Sequence, residues 1–189
     1  MLMKDKVVII SGIGPGLGVE LALLAANEGA KAVVLAARTA SKLTDAAQQI
    51  AALGLGTKTL EVPTDIAKPE DCKNLVAKTV EAFGCVDALV NSAYIPGRFG
   101  SWEKWDFDDW RKTFDVNLFG SMTLAREAAK VMKDQPQRGA IVMVNSMVTK
   151  QVISAQAGYA TSKGALATAT TAMALELAPL GIRVNSCFM

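Results

Sequence analysis

The sequence predicts an α/β domain on an open, mostly parallel, doubly wound sheet. Two observations carry this expectation. Short apolar runs rich in Val and Ile alternate with longer segments of helical periodicity, the rhythm of repeated βαβ units. Several runs are apolar throughout rather than alternating with polar residues, as strands covered on both faces require. No repeat, linker or low-complexity tract divides the chain, so residues 1–189 read as one domain.

The first strand is expected near Val7 to Ser11, and a glycine cluster carries it into a helix from Gly16 to Glu28, with Gly29 placed to cap its end. Lys31 to Ala37 reads as the second strand and Ala40 to Leu53 as the second helix, closed by Gly54. The third strand, Thr57 to Val62, leads to a helix from Pro69 to Phe83; Pro69 suits a first turn, where its missing N–H has no helical partner. A fourth strand from Asp87 to Ser92 precedes a long helix from Phe107 to Lys133. Between them the stretch Phe99 to Trp110 holds Trp102, Trp105 and Trp110, which read as packing at the helix start, with Asp106 and Asp109 as an N-cap and N3 pair. The fifth strand, Ala140 to Ser146, a helix from Ala155 to Leu180 and a sixth strand, Ile182 to Ser186, complete the series.

Composition narrows the function. The formal net charge is +2 with acids and bases interspersed, so no basic face recommends nucleic acid or anionic lipid as a partner. The chain has no His, which removes Ser/His triads, His general bases and the commonest metal ligand together; no metal is expected. Cys72, Cys85 and Cys187 are odd in number and form no CxxC pair, so they read as core or free thiols of a reducing compartment, the cytoplasm. Only four strongly apolar residues, Val7 to Ile10, precede Ser11 and Gly12, too short a run for a signal peptide or a membrane span.

Ser11-Gly12-Ile13-Gly14-Pro15-Gly16-Leu17-Gly18 joins the first strand to the first helix. Glycines there let backbone amides approach a pyrophosphate at the positive helix N-terminus, where side chains would clash. The spacing is GxxxGxG on Gly12, Gly16 and Gly18 rather than GxGxxG, since Leu17 follows Gly12 and Gly14 where a third glycine would stand. About 20 residues further on, an acidic side chain would take a free ribose 2′-hydroxyl. Here the second strand ends Ala36-Ala37-Arg38, and a guanidinium without a carboxylate favours NADP over NAD; a solvated loop charge is the plain alternative for Arg38.

Tyr159 and Lys163 are spaced i, i+4 and so lie one turn apart on one helix face. Lowering a phenol from about 10 to about 7 takes roughly 4 kcal/mol. One ammonium at about 4 Å supplies an energy of that order at an effective dielectric of about 20. The pair is thus a candidate general acid/base.

With these residues in place, the chain resembles the short-chain dehydrogenase/reductase family over essentially its whole length. Ser11 to Gly18 resembles the family's TGxxxGxG with Ser for Thr, and Tyr159 with Lys163 matches its YxxxK. Ser146, thirteen positions before Tyr159, stands where the family places its catalytic Ser, and Asn117 matches the family's helix Asn. Asp65, in Thr64-Asp65-Ile66, matches the acid that touches the adenine ring, with Ile66 beside it. The family's NNAG reads Asn91-Ser92-Ala93-Tyr94, which retains Asn91 and Ala93 and puts an aromatic ring where Gly leaves space beside the cofactor.

The resemblance implies a Rossmann-like, NADP(H)-dependent oxidoreductase that moves a hydride between nicotinamide and an alcohol or ketone, with NAD the less favoured cofactor. In that division of labour Tyr159 exchanges the proton, Lys163 favours the phenolate and binds the nicotinamide ribose, Ser146 holds the substrate oxygen and Asn117 fixes a water in the proton path. The glycine turn from Ser11 to Gly18, including Gly14 and Leu17, would take the pyrophosphate. Ser146 as a strand-end cap and Asn117 as a partner for local backbone are the plain alternatives. Family members commonly form dimers or tetramers through the helices of Asn117 and Tyr159, where Ala165, Ala169 and Ala172 permit close packing, so a homo-oligomer is expected. They ordinarily continue past the sixth strand with a Pro-Gly turn, a substrate loop and a last strand. The chain stops at Met189, so a C-terminally incomplete domain without that strand and loop is expected. Two other functions fit parts of the pattern: a non-catalytic NADP-binding regulator with the same fold, and a sugar-nucleotide epimerase or dehydratase, whose usual GxxGxxG turn would need Gly where Pro15 stands.

Overall fold

The computed structural model describes residues 1–189. Six strands, β1 (Val7–Ser11), β2 (Ala32–Ala37), β3 (Lys58–Pro63), β4 (Ala88–Asn91), β5 (Gly139–Asn145) and β6 (Ile182–Phe188), alternate with α1 (Leu17–Asn27), α2 (Ala40–Ala52), α3 (Pro69–Phe83), α4 (Phe107–Phe114), α5 (Ser121–Met132) and α6 (Ala157–Leu177). The strands form one sheet in the order β3-β2-β1-β4-β5-β6, parallel at every pairing. The order reverses between β1 and β4, so the connections leaving these two strands diverge and open a crevice at their carboxyl ends.

The sheet divides the apolar side chains by strand parity. Val7 and Ile9 of β1 join α3, α5 and α6 residues such as Leu75, Leu124, Met132 and Leu166 in the larger core, while Val8 and Ile10 face Ala22, Leu43 and Ile50 of α1 and α2 in the smaller one. Burial on both faces explains why β1 is apolar at every position of Val7 to Ile10. The far half of the sheet departs from this pattern. β4, β5 and β6 bury alternate residues only, because the α1/α2 layer reaches no further than Ala88 and Val90. Their outward residues Val142 and Val144 are half-buried.

Caps and ends follow local chemistry. Pro69 opens α3, and Gly29 and Gly54 take positive φ immediately after the C-caps of α1 and α2. The expected helix from Phe107 to Lys133 is interrupted by a π-helical segment, Asp115–Gly120. Its last residue must be Gly, since a Cβ there would meet Ile66 O at 2.6 Å. The final helix begins at Ala157 rather than Ala155, whose φ of 66° lies outside the helical region.

Asp106 caps α4 as expected, accepting from Asp108 N and Asp109 N. Asp109 does not complete a capping box; its Oδ2 accepts from Arg98 N at 2.7 Å and ties the preceding loop to the helix. Trp105, Phe107 and Trp110 pack on one another at 5.1 to 6.5 Å between ring centroids, while Trp102 stands in solvent. No helix is long and apolar enough to cross a membrane.

Candidate active site

The crevice at the carboxyl ends of β1 and β4 is a cleft of about 520 Å³. Ser11 and Asn91 are register partners at its floor, and the Ser11 hydroxyl donates to Asn91 Oδ1. Ser92 adds a second link, donating to Ser11 O at 2.7 Å. These bonds fasten the two divergent strands together. Ser11 and Asn91 shape the floor from beneath and do not line the cleft.

The glycine turn forms one wall. A Cβ on Gly12 would lie 2.5 Å from Ala93 N, and one on Gly18 would lie 2.3 Å from Gly12 O. Both glycines are therefore required by close backbone approach, one across the strands and one within the turn. Gly16 has φ 98° with nothing within 4 Å of its missing Cβ, so its face is open. It is also the N-cap of α1 and offers no side chain to the first-turn amides, which remain available to an anion. Gly14, Leu17 and Gly18 line the cleft; Gly16 borders it without lining it.

The next stretch of wall is basic. Arg38 is exposed just past the end of β2 and lines the cleft together with Thr39 and Lys42. Lys42 lines the cleft although no local signal in the sequence marks it: Arg38 precedes α2, so the i, i+4 spacing of the two residues is not a shared helix face. Its Nζ lies 4.0 Å from where a Gly14 Cβ would be, so it overhangs the glycine turn. Thr39 caps α2 without a side-chain bond to the first-turn amides, and no acid occupies that first turn. Two cations and a second open helix N-terminus therefore converge on one end of the cleft. Across from them Asp65 and Ile66 form the rim, with Asp65 Oδ1 accepting from Ala67 N.

Ser146, Tyr159 and Lys163 meet at the opposite end, beside Ala93, Tyr94, Ile95 and Pro96. Ser146 follows β5 and caps a short turn, its Oγ accepting from Val148 N at 3.3 Å, so the capping role is realised while the residue still lines the cleft. Tyr159 and Lys163 occupy the first two turns of α6. Lys163 is 2% exposed and donates to Val144 O at 2.9 Å. Burial lowers its pKa from 10.5 to about 8.

The expected lowering of the Tyr159 pKa is not found. Burial raises it above 10, the neighbouring Ser146 hydroxyl pulls it down in part, and the Tyr94 phenol pushes it up. The physical reason is that sequence spacing supplies proximity but not the solvation of either group. The Lys163 ammonium is itself desolvated and aimed at a backbone carbonyl. Burial thus favours the neutral phenol of Tyr159 and weakens the hold of the Lys163 ammonium on its proton.

Asn117 lies behind the wall. It is fully buried in the π-helical segment, accepts from Ile95 N at 2.8 Å, and donates to Ile95 O at 2.9 Å and Ser162 Oγ at 3.0 Å. Its backbone partner belongs to the cleft loop rather than to its own helix. Tyr94, noted in the sequence only as a departure from the family pattern, proves central: its ring centroid is 6.0 Å from that of Tyr159, and Lys163 Nζ lies 5.7 Å from it.

An extended dinucleotide fits these residues. Open helix amides and glycines that leave no side chains in the way face a pyrophosphate, cations stand at one end, and a proton-bearing group stands at the other. No group of acidic, Cys or His side chains is arranged to hold a metal.

Comparison with known proteins gives the family and the fold. A family model described as short chain dehydrogenase matches residues 6–188. A protein of Staphylococcus aureus (strain MRSA252) described as an uncharacterized oxidoreductase is 33% identical over 187 residues, 98% of this chain and 77% of that protein. An NAD+-bound xylitol dehydrogenase superposes with a TM-score of 0.92 at 30% identity, covering 98% of this chain and 70% of its own. A variant of actinorhodin polyketide ketoreductase with NADPH does so with a TM-score of 0.88 at 30% identity, covering 96% and 69%.

Proposed function

The chain belongs to the short-chain dehydrogenase/reductase family, oxidoreductases that act on CH–OH groups with NAD(P), and from that premise we propose that it is an NADP(H)-dependent enzyme that interconverts an alcohol and a ketone, with Tyr159 as the acid/base. The observation that carries this reading is the layout of one cleft, with Arg38 and Lys42 at one end, Ser146, Tyr159 and Lys163 at the other, and the glycine turn between them.

The preference for NADP rests on the basic end. Arg38 and Lys42 make no ion pair within the chain, and α2 begins beside them without an acidic residue in its first turn. A 2′-phosphate would find a planar fork, a point charge and free amides. Asp65 and Ile66 would border the adenine.

When bound, the nicotinamide supplies or accepts the hydride at its C4. Ser146 would hold the carbonyl oxygen by a hydrogen bond that strengthens as charge develops there. Tyr159, whose neutral form burial favours, would donate its phenolic proton to that oxygen as the hydride reaches the carbonyl carbon, and the alcohol results. Lys163 would stabilise the phenolate left behind and donate to the nicotinamide ribose. Asn117 would serve by positioning the loop of Ile95. In the oxidative direction the same proton returns to Tyr159.

Two further readings complete the proposal. The three cysteines are free, in keeping with a reducing, cytoplasmic setting. Phe107, Phe119 and Leu175 stand exposed on the α4 to α6 side, in keeping with a homodimer or homotetramer.

The test is kinetic. NADPH-dependent reduction is assayed over a panel of neutral ketones with wild type and Tyr159→Phe, which keeps the ring and removes the proton. The variant should lose roughly 10²- to 10⁴-fold in kcat. Wild-type turnover by Tyr159→Phe would overturn the reading.

A further inference from the structure

Tyr94 stands where two anchors hold its backbone. On one side Ala93 lies so close to Gly12 that a Cβ there would meet its N at 2.5 Å. On the other, Asn117 binds both the N–H and the C=O of Ile95. The position of the Tyr94 ring is thus set by rigid elements rather than by a free loop. From that position the ring touches both members of the reaction pair: a tilted contact to Tyr159, at 53° between planes, and its face toward the Lys163 ammonium.

We propose that Tyr94 is a positioning residue for Lys163 and Tyr159, its aromatic ring holding the Lys163 ammonium in place over the cleft while bracing the Tyr159 ring. The inference goes beyond the proposed function and rests on its assignment of Tyr159 and Lys163. Lys163 has one hydrogen-bond acceptor in the chain, Val144 O, and no carboxylate among the causes that shift it. Beside that bond, the π face of Tyr94 is the aromatic surface within reach of the ammonium, 5.7 Å from Nζ to the ring centroid. Tyr94 itself is 57% exposed, so its outer surface is open to whatever enters the cleft, while its inner surface covers a lysine that is 2% exposed. Both contacts are made by the ring and neither requires the hydroxyl. Phe should therefore serve, whereas an aliphatic side chain should not.

The experiment reads Lys163 directly in the ligand-free protein. Carbamylation by cyanate near pH 7 is followed by mass spectrometry of the Lys163 peptide, with the exposed Lys42 as internal reference, in wild type, Tyr94→Phe, Tyr94→Leu and Tyr94→Gly. Loss of the ring removes both a contact that favours the unreactive ammonium and the cover over it. Tyr94→Leu and Tyr94→Gly should accelerate Lys163 modification by about fivefold or more relative to Lys42, and Tyr94→Phe should keep the wild-type rate. Far-UV circular dichroism confirms folding; a half-exposed side chain leaves the core intact, and the two ring-free variants check each other. No acceleration in either ring-free variant, or equal acceleration in Tyr94→Phe, overturns the role of Tyr94. Since no substrate or cofactor is used, that failure is distinct from failure of the proposed function, which only Tyr159→Phe activity decides.

Discussion

Asn117 and Ile95, 22 positions apart, exchange hydrogen bonds in both directions: the side-chain amide accepts from Ile95 N and donates to Ile95 O. One primary amide thereby substitutes for a strand partner and fixes the loop that follows β4. The remaining Nδ2 proton reaches Ser162 Oγ, which donates in turn to Tyr159 O, so the clamp runs from the loop through the π-helical segment to the helix of Tyr159 and Lys163.

Removing that amide should be a stability lesion first. Asn117→Ala leaves the half-buried N–H and C=O of Ile95 without their partner, at about 1 to 2 kcal/mol each, the lower part of the cost for a buried group. Denaturant melts should show a loss of about 2 to 4 kcal/mol. A variant as stable as wild type would remove the clamp from the account.

The glycine turn separates into residues that tolerate a methyl group and residues that do not. A Cβ on Gly14 meets only the flexible end of Lys42 at 4.0 Å, whereas one on Gly18 strikes backbone at 2.3 Å. Gly14→Ala should fold with a thermal midpoint close to wild type. Gly18→Ala should be destabilised by several kcal/mol or recovered as aggregate. A soluble Gly18→Ala of wild-type stability would contradict the close approach.

Much of this was legible in the chain, for physical reasons that can be named. The run Val7 to Ile10 announced a strand buried on both faces, and the structure buries all four residues. Tyr159 and Lys163 announced themselves by helical spacing, which is a local property. What stayed hidden depends on contacts distant in sequence. Nothing local says that Lys163 reaches Val144, nineteen positions back, or that burial rather than charge governs the Tyr159 phenol. Asn117 has the right residue type for many tasks, and its partners are chosen by a loop that periodicity does not place. The half-covered face of β4 to β6 was equally unreadable, since strand composition records average burial and not which helix supplies it.

Cofactor preference should follow the basic end of the cleft. Titration followed by fluorescence should give NADPH roughly tenfold to a hundredfold tighter binding than NADH, the span expected of charge-assisted pairing worth about 1.5 to 3 kcal/mol. Arg38→Ala should remove most of that difference and Lys42→Ala part of it, with NADH affinity little changed in both. Equal affinities in the wild type would sink the assignment. A preference that survives the double variant would place the 2′-phosphate elsewhere.

Lys163 should trade stability for function. Its pKa is about 8 in the folded protein and 10.5 unfolded, so below pH 8 both states carry the charge and the folded state bears its full desolvation. Between pH 8 and 10.5 the unfolded chain binds more protons, and stability therefore rises with pH across that window. At roughly 1.4 kcal/mol per pH unit the burden near neutrality is about 3 kcal/mol, from which the lost bond to Val144 O takes back about 1. Lys163→Met should accordingly be about 1 to 3 kcal/mol more stable than wild type at pH 7, and the advantage should shrink as the pH rises past 8. The same variant should bind NADPH more weakly and lose turnover. A Lys163→Met protein less stable than wild type at pH 7, or an advantage that does not change between pH 7 and 10, would show that the ammonium is not held at a depressed pKa.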